Sequence, residues 1–210
     1  MTYIQLTETT GQIEDKINRA LAEEINLLLL KKKIKIETKC KNLVADWISS
    51  QPEMVSLTSP TPDSLAGQFG MFKGTEESAV KDIIEAVESS VTVKLTKIDK
   101  KLNGGIQVFF QPSTFTNLLG LTSGHVLYER GDLHWLSWLL TEGDSIIVVN
   151  YTYNPGSGLG RSGLGNMQES GAFRVPPEFS GTIRDNFITR ALIGKVQEND
   201  IFNVIKRELA

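Results

Sequence analysis

A single cysteine, Cys40, stands in the 210 residues. No disulfide can form within the chain, and no thiolate cluster can hold a metal. Cys40 shares a helical stripe with Leu43, Val44 and Trp47, and reads as a small buried hydrophobe rather than a nucleophile. Histidine is equally scarce. His125 and His134 have no ligand pattern of zinc spacing around them, and read as partly buried, hydrogen-bonded side chains. No G-x-S-x-G elbow surrounds Ser123. Glu129, Arg130 and Asp132 carry the right groups for acid–base work, but nothing in the sequence fixes their geometry, and Asp132 reads better as a helix cap. The carboxylates are scattered. The chain is therefore expected not to be an enzyme and to need no cofactor.

Long apolar runs are also missing. The longest, Leu27–Leu30, is far too short to span a bilayer, and the first residues lack the make-up of a signal peptide. A soluble protein made in a cytosol is the expectation. Net charge is −3, so the chain as a whole is not built to coat nucleic acid. The lysines of residues 31–41 are a local exception, and read as a solvated helix face.

Apolar residues make up 40 %, enough for the core of a single domain over residues 1–210. Ile13, Ile17, Leu21, Ile25 and Leu28 recur at helical spacing, and the stripe resumes at Ile36, Cys40 and Trp47. Thr9 with Gln12 can form a capping box. The spacing predicts one long helix, kinked or in two pieces, over residues 10–50. Prolines 52, 60 and 62 mark a loop. Strands are predicted near 65–72, 91–98, 105–111 and 145–153, a helix over 76–89, and a short helix behind Asp132. A last helix starts at about Arg184, with breaks allowed at Gly194 and Asn199-Asp200. The order predicts an α+β fold: helices packed on one mostly antiparallel sheet.

What the chain has in excess is glycine. Residues 156–171 hold six glycines, and Pro176-Pro177 follows. Such density reads as a long, irregular, projecting loop, an assembly segment over residues 154–183. Within it, Gly158-Leu159-Gly160-Arg161-Ser162-Gly163 matches G-x-G-x-x-G. That fingerprint binds pyrophosphate only where the glycines open into a helix, and no helical pattern follows before Arg184. A glycine-loop nucleotide-binding protein or enzyme stays as the alternative reading. The rest of the segment is dense in directional contact groups: Arg161, Met167, Arg174, Pro176, Pro177, Glu178, Phe179, Arg184, Asp185 and Asn186. Arginine and aromatic residues are the types enriched at protein interfaces. These ten are the candidate assembly residues, and at least one arginine is expected to pair with an acid on an adjacent chain.

The series Gly160-Arg161-Ser162-Gly163-Leu164-Gly165-Asn166-Met167, then Phe173-Arg174-Val175-Pro176-Pro177-Glu178-Phe179-Ser180-Gly181-Thr182, then Asp185-Asn186-Phe187-Ile188-Thr189-Arg190-Ala191-Leu192, resembles neck proteins of tailed bacteriophages. Ser64–Gly70 and Gly143–Val148 look like the same group, so the resemblance covers roughly residues 60–192. It implies a structural subunit of the head-to-tail connector or tail-completion type, located in the virion. Its implied partners are copies of itself, in a ring of six or a multiple, and neighbouring neck, connector or tail-terminator proteins. DNA passing through the ring is a further contact, without sequence-specific binding. No catalysis, cofactor or membrane is implied.

Overall fold

The computed structural model describes residues 7–111, 114–129, 131–156 and 160–210. Its longest element is α1, Thr10–Ser49, one uninterrupted helix of 40 residues. At 1.5 Å per residue it runs about 60 Å. The capping box forms as its sequence predicts: Gln12 N donates to Thr9 Oγ1 at 3.3 Å, and Thr9 N to Gln12 Oε1 at 2.9 Å. The buried stripe is Ala22, Leu29, Ile36, Cys40, Val44 and Ile48. This differs from the expected face. Ile17 and Leu21 stay exposed, and no residue of the first three turns is buried. The N-terminal part of α1 overhangs the body.

Beyond α1 come α2 (Pro52–Thr58), α3 (Leu65–Gln68) and α4 (Glu76–Ser90). The stretch expected as a loop holds α2, because Pro52 at the first helical position loses no hydrogen bond there. The strand expected at 65–72 is a correction. Ser64 caps a helical turn instead, taking a bond from Gly67 N at 3.2 Å. α4 matches the predicted amphipathic helix and buries Ala79, Ile83 and Val87.

The strands predicted near 91–98 and 105–111 are β1 (Thr92–Thr96) and β2 (Gly105–Phe109), which pair as an antiparallel hairpin with Val93 opposite Val108. α5 (Thr116–Leu119) and a 3-10 turn (Thr122–Gly124) lead to β3 (Val126–Tyr128) and β4 (Gly131–Leu133). Asp132 lies in β4 and not at a helix cap. α6 (Trp135–Leu140) begins behind His134. β5 (Val148–Pro155) and β6 (Gly165–Phe173) pair antiparallel, with a bulge between Val149 and Tyr151. α7 (Phe187–Leu192) and α8 (Lys195–Leu209) close the chain. The last helix is thus broken at Gly194, while Asn199-Asp200 stay helical.

The fold is α+β, but its described strands make three separate two-stranded antiparallel sheets rather than one. The core gathers α1 from Ile36 onward with α2–α4, β1, α6 and α7 around Phe69, Trp135 and Phe187. α8 docks on α1 through Glu208, which lies between Lys35 and Lys39, with Lys35 Nζ at 2.9 Å. Burial pushes the Cys40 thiol up to about 11.

Candidate assembly surface

The glycine-rich segment is not the projecting loop that its composition suggested. Gly165–Phe173 is strand β6, and just before it Arg161 bonds back to the body at Gly70 and Leu127. Its glycines make room. A Cβ on Gly165 would stand 2.4 Å from Tyr153 Oη and 2.6 Å from Asn154 O. One on Gly160 would stand 2.0 Å from Gly165 O. Real Cβ atoms do not come this close to such atoms, so both positions are dictated by packing and not by a need for flexibility. Tyr153 Oη then donates to Pro62 O at 2.7 Å. Residues 157–159, which include the first two positions of the G-x-G-x-x-G match, lie outside the described residues, as does Arg130. The glycines that follow open into a strand, without the helix N-terminus on which a pyrophosphate rests.

Arg161 is the centre of this docking. Its Nε donates to Gly70 O, and its Nη1 donates to Leu127 O at 2.6 Å. The guanidinium lies 4.0 Å from the Tyr128 ring centroid and 4.7 Å from that of Phe72. Tyr128 Oη in turn donates to Phe69 O at 2.7 Å. One planar cation therefore ties the β5–β6 turn to α3 and β3. Arg161 was expected to reach a neighbouring chain; its Nε and Nη1 are occupied within its own, while its buried Nη2 has no hydrogen-bond partner among the described residues.

Asn186 is the second correction. It is fully buried and caps α7: Thr189 N donates to its Oδ1 at 2.9 Å, and its Nδ2 donates to Thr182 O at 2.8 Å and Leu140 O at 3.2 Å. Asp185 Oδ1 accepts from Arg190 Nη1 at 2.9 Å. The same guanidinium holds Glu53, which is buried on α2. Burial raises the Glu53 carboxyl, and Arg190 pulls it back toward the charged form. Phe179 packs partly against the core.

The remaining candidates face outward. Met167 lies on β6 opposite Tyr153 and is over a third exposed. Arg174 is exposed, 3.9 Å from Asp144 Oδ2 and weakly held. Pro176 is half-buried, whereas Pro177 and Glu178 are exposed. Arg184 stands at a cavity of about 540 Å³ with Phe109, Ile183, Ile188 and Ile193. The structure brings Arg184 and this apolar cavity together but keeps Arg161 and Asn186 apart from it.

Two features escaped sequence reasoning. Leu27, Leu30 and Ile34 form a second apolar stripe on α1, away from the buried one, with Ile34 79 % exposed. Their 3-4 spacing was the signal. The β5–β6 ribbon also leaves Val149 63 % and Tyr151 38 % exposed. Among the described residues no helix is long and apolar enough to cross a membrane, and no three metal-binding side chains gather. No family model matches the chain, and neither a curated protein nor a solved structure matches it.

Proposed function

We propose that this chain is a structural subunit of a tailed-phage neck, repeated as a ring of six or a multiple at the head-to-tail junction. The observation that carries the reading is apolar surface left uncovered on the single chain. It occurs on the α1 overhang and its second stripe, on the β5–β6 ribbon, and at Val196 and Phe202 of α8. Scattered single hydrophobics are ordinary on a protein surface, but contiguous ones mark contact sites. A subunit with neighbours on two sides and above or below needs more than one such surface. Pro177, Glu178 and Arg184 supply polar and rigid contacts at the rim. Neighbouring neck, connector or tail-terminator proteins and further copies of the chain are the partners. The residue series over 60–192 supports the neck in particular. No catalytic step is assigned. Labelled chain should appear at the head-to-tail junction of assembled particles by electron microscopy; label confined to the cytoplasm, or elsewhere on the particle, overturns the proposal.

A further inference from the structure

His125 and His134 are the pair that comes next in the β3–β4 ladder, after Val126 opposite Leu133. Their rings stack, with centroids 4.0 Å apart and planes 11° from parallel. Asp132 Oδ2 lies 2.8 Å from His125 Nδ1. His134 Nε2 is buried and has no hydrogen-bond partner. Among the described residues, the charged or titratable groups facing His134 are His125, Asp132 on β4, and Glu142 beyond α6. From α4 and its N-cap, the adjoining cleft receives only the uncharged Thr75, Ser78 and Ala79.

Neutral rings tolerate this geometry. Protonated rings do not. An imidazolium donates from both nitrogens, so the buried Nε2–H of His134 would face no acceptor. Two stacked cations would also share a single adjacent carboxylate, Asp132.

The strand that starts beside this stack also carries the Arg161 contacts. Leu127 O takes the bond from Arg161 Nη1, and the Tyr128 ring covers the guanidinium. We propose that the His125–His134 stack is an acid-sensitive latch: protonation parts β3 from β4, frees Arg161, and releases the turn of residues 160–164 that leads into β6. The ribbon that this turn anchors is one of the uncovered surfaces, so the latch sets whether that surface is held rigid. The inference rests on contacts within one chain, and stands whether or not the chain forms a ring.

The direction follows from the histidine. Burial, with His125 adding to it, holds His134 below its usual 6.5, against the opposing pull of Asp132 and Glu142. The latched state is therefore fully stabilised above about 6.5, and its stability declines as pH falls from there toward the lowered value.

The test is an NMR titration of the isotope-labelled full chain from about pH 7.5 to about pH 5, across the histidine range. The His134 ring should titrate below its usual value. The amides of Leu127, Tyr128, Gly163 and Leu164 should move with the same midpoint. Their hydrogen-exchange protection, corrected for intrinsic rate, should fall about tenfold per pH unit until His134 is charged. In His134→Gln this pH dependence should vanish. Should that variant fail to fold, the wild type decides alone, because ring and amides must share one midpoint. Flat clasp amides while the His134 ring titrates, or an unchanged pH response in folded His134→Gln, overturns the latch.

Discussion

Replacing Arg161 by alanine separates a residue that faces a neighbour from one that holds its own fold. The side chain makes two charged hydrogen bonds to carbonyls, at Gly70 and Leu127, and lies over two aromatic rings. A hydrogen bond to a charged group contributes about 1.5–3 kcal/mol. A cation–π contact at a partly exposed site adds roughly 0.5–1 kcal/mol. Arg161 is half-buried, and water can reach the freed carbonyls in the variant, so the full sum is not lost. A destabilisation of about 2–4 kcal/mol is the expected outcome. For a chain of this size that lowers the thermal midpoint by roughly 5–15 °C. Differential scanning calorimetry of the isolated chain at neutral pH reads it directly. Arg161→Lys should recover little, since an ammonium cannot bridge both carbonyls in the plane of the rings. A midpoint within about a degree of wild type would refute the clasp and return Arg161 to the assembly surface.

Gly165→Ala should destabilise by roughly 1–3 kcal/mol through overpacking against Tyr153 and the Asn154 carbonyl, whereas Gly131→Ala, where a Cβ meets nothing, should shift the calorimetric midpoint far less. Arg190→Ala leaves the buried Glu53 without its cation and should cost about 3–5 kcal/mol in urea unfolding, with Glu53→Gln added to it recovering part of the loss. Glu208 is held down to about 2, first by the hydrogen bond from Lys39 and then by that from Lys35. Its contribution is complete above its ordinary 4.5 and is lost as pH falls through about 2, so the acid-unfolding slope below 4.5 should flatten in Glu208→Gln. Arg184→Ala, on an exposed residue beside an apolar cavity, should leave the midpoint nearly unchanged and lower the yield of assembled particles.

Much of the local structure was legible. Thr9 and Gln12 placed the start of α1 to the residue, and the break before Pro52 placed its end. The strands expected near 91–98 and 105–111 formed, as β1 and β2. The buried face of α1 was not legible at its N-terminal end, because Ile13-Ile17-Leu21 and Ala22-Leu29-Ile36 both satisfy helical spacing. Which one is buried depends on where the partner elements lie: Glu37 takes a bond from Val93 N of β1, and Asn26 bonds Ile98 just beyond that strand. The glycine segment misled for a related reason. A missing Cβ serves flexibility or close approach equally well, and the atoms that crowd Gly160 and Gly165 lie in the same hairpin, whose pairing the composition concealed. Arg161 was singled out as an interface residue, but its observed partners are backbone carbonyls of its own chain, which no side-chain pattern announces. Asn186 is similar: an asparagine before an apolar run is also a helix cap, and here the cap is what the fold uses.

The ring is tested most directly by the native mass of the purified full chain, measured across a wide concentration range. Uncovered apolar surface predicts self-association, and the resemblance to neck proteins implies that the closed species stands at six, or a multiple of six, times the single-chain mass. Ile34→Asp and Val149→Asp, each on a different surface, should reduce it to smaller species that remain folded. A chain that stays a monomer at every concentration, with the same mass in both variants, would contradict the account.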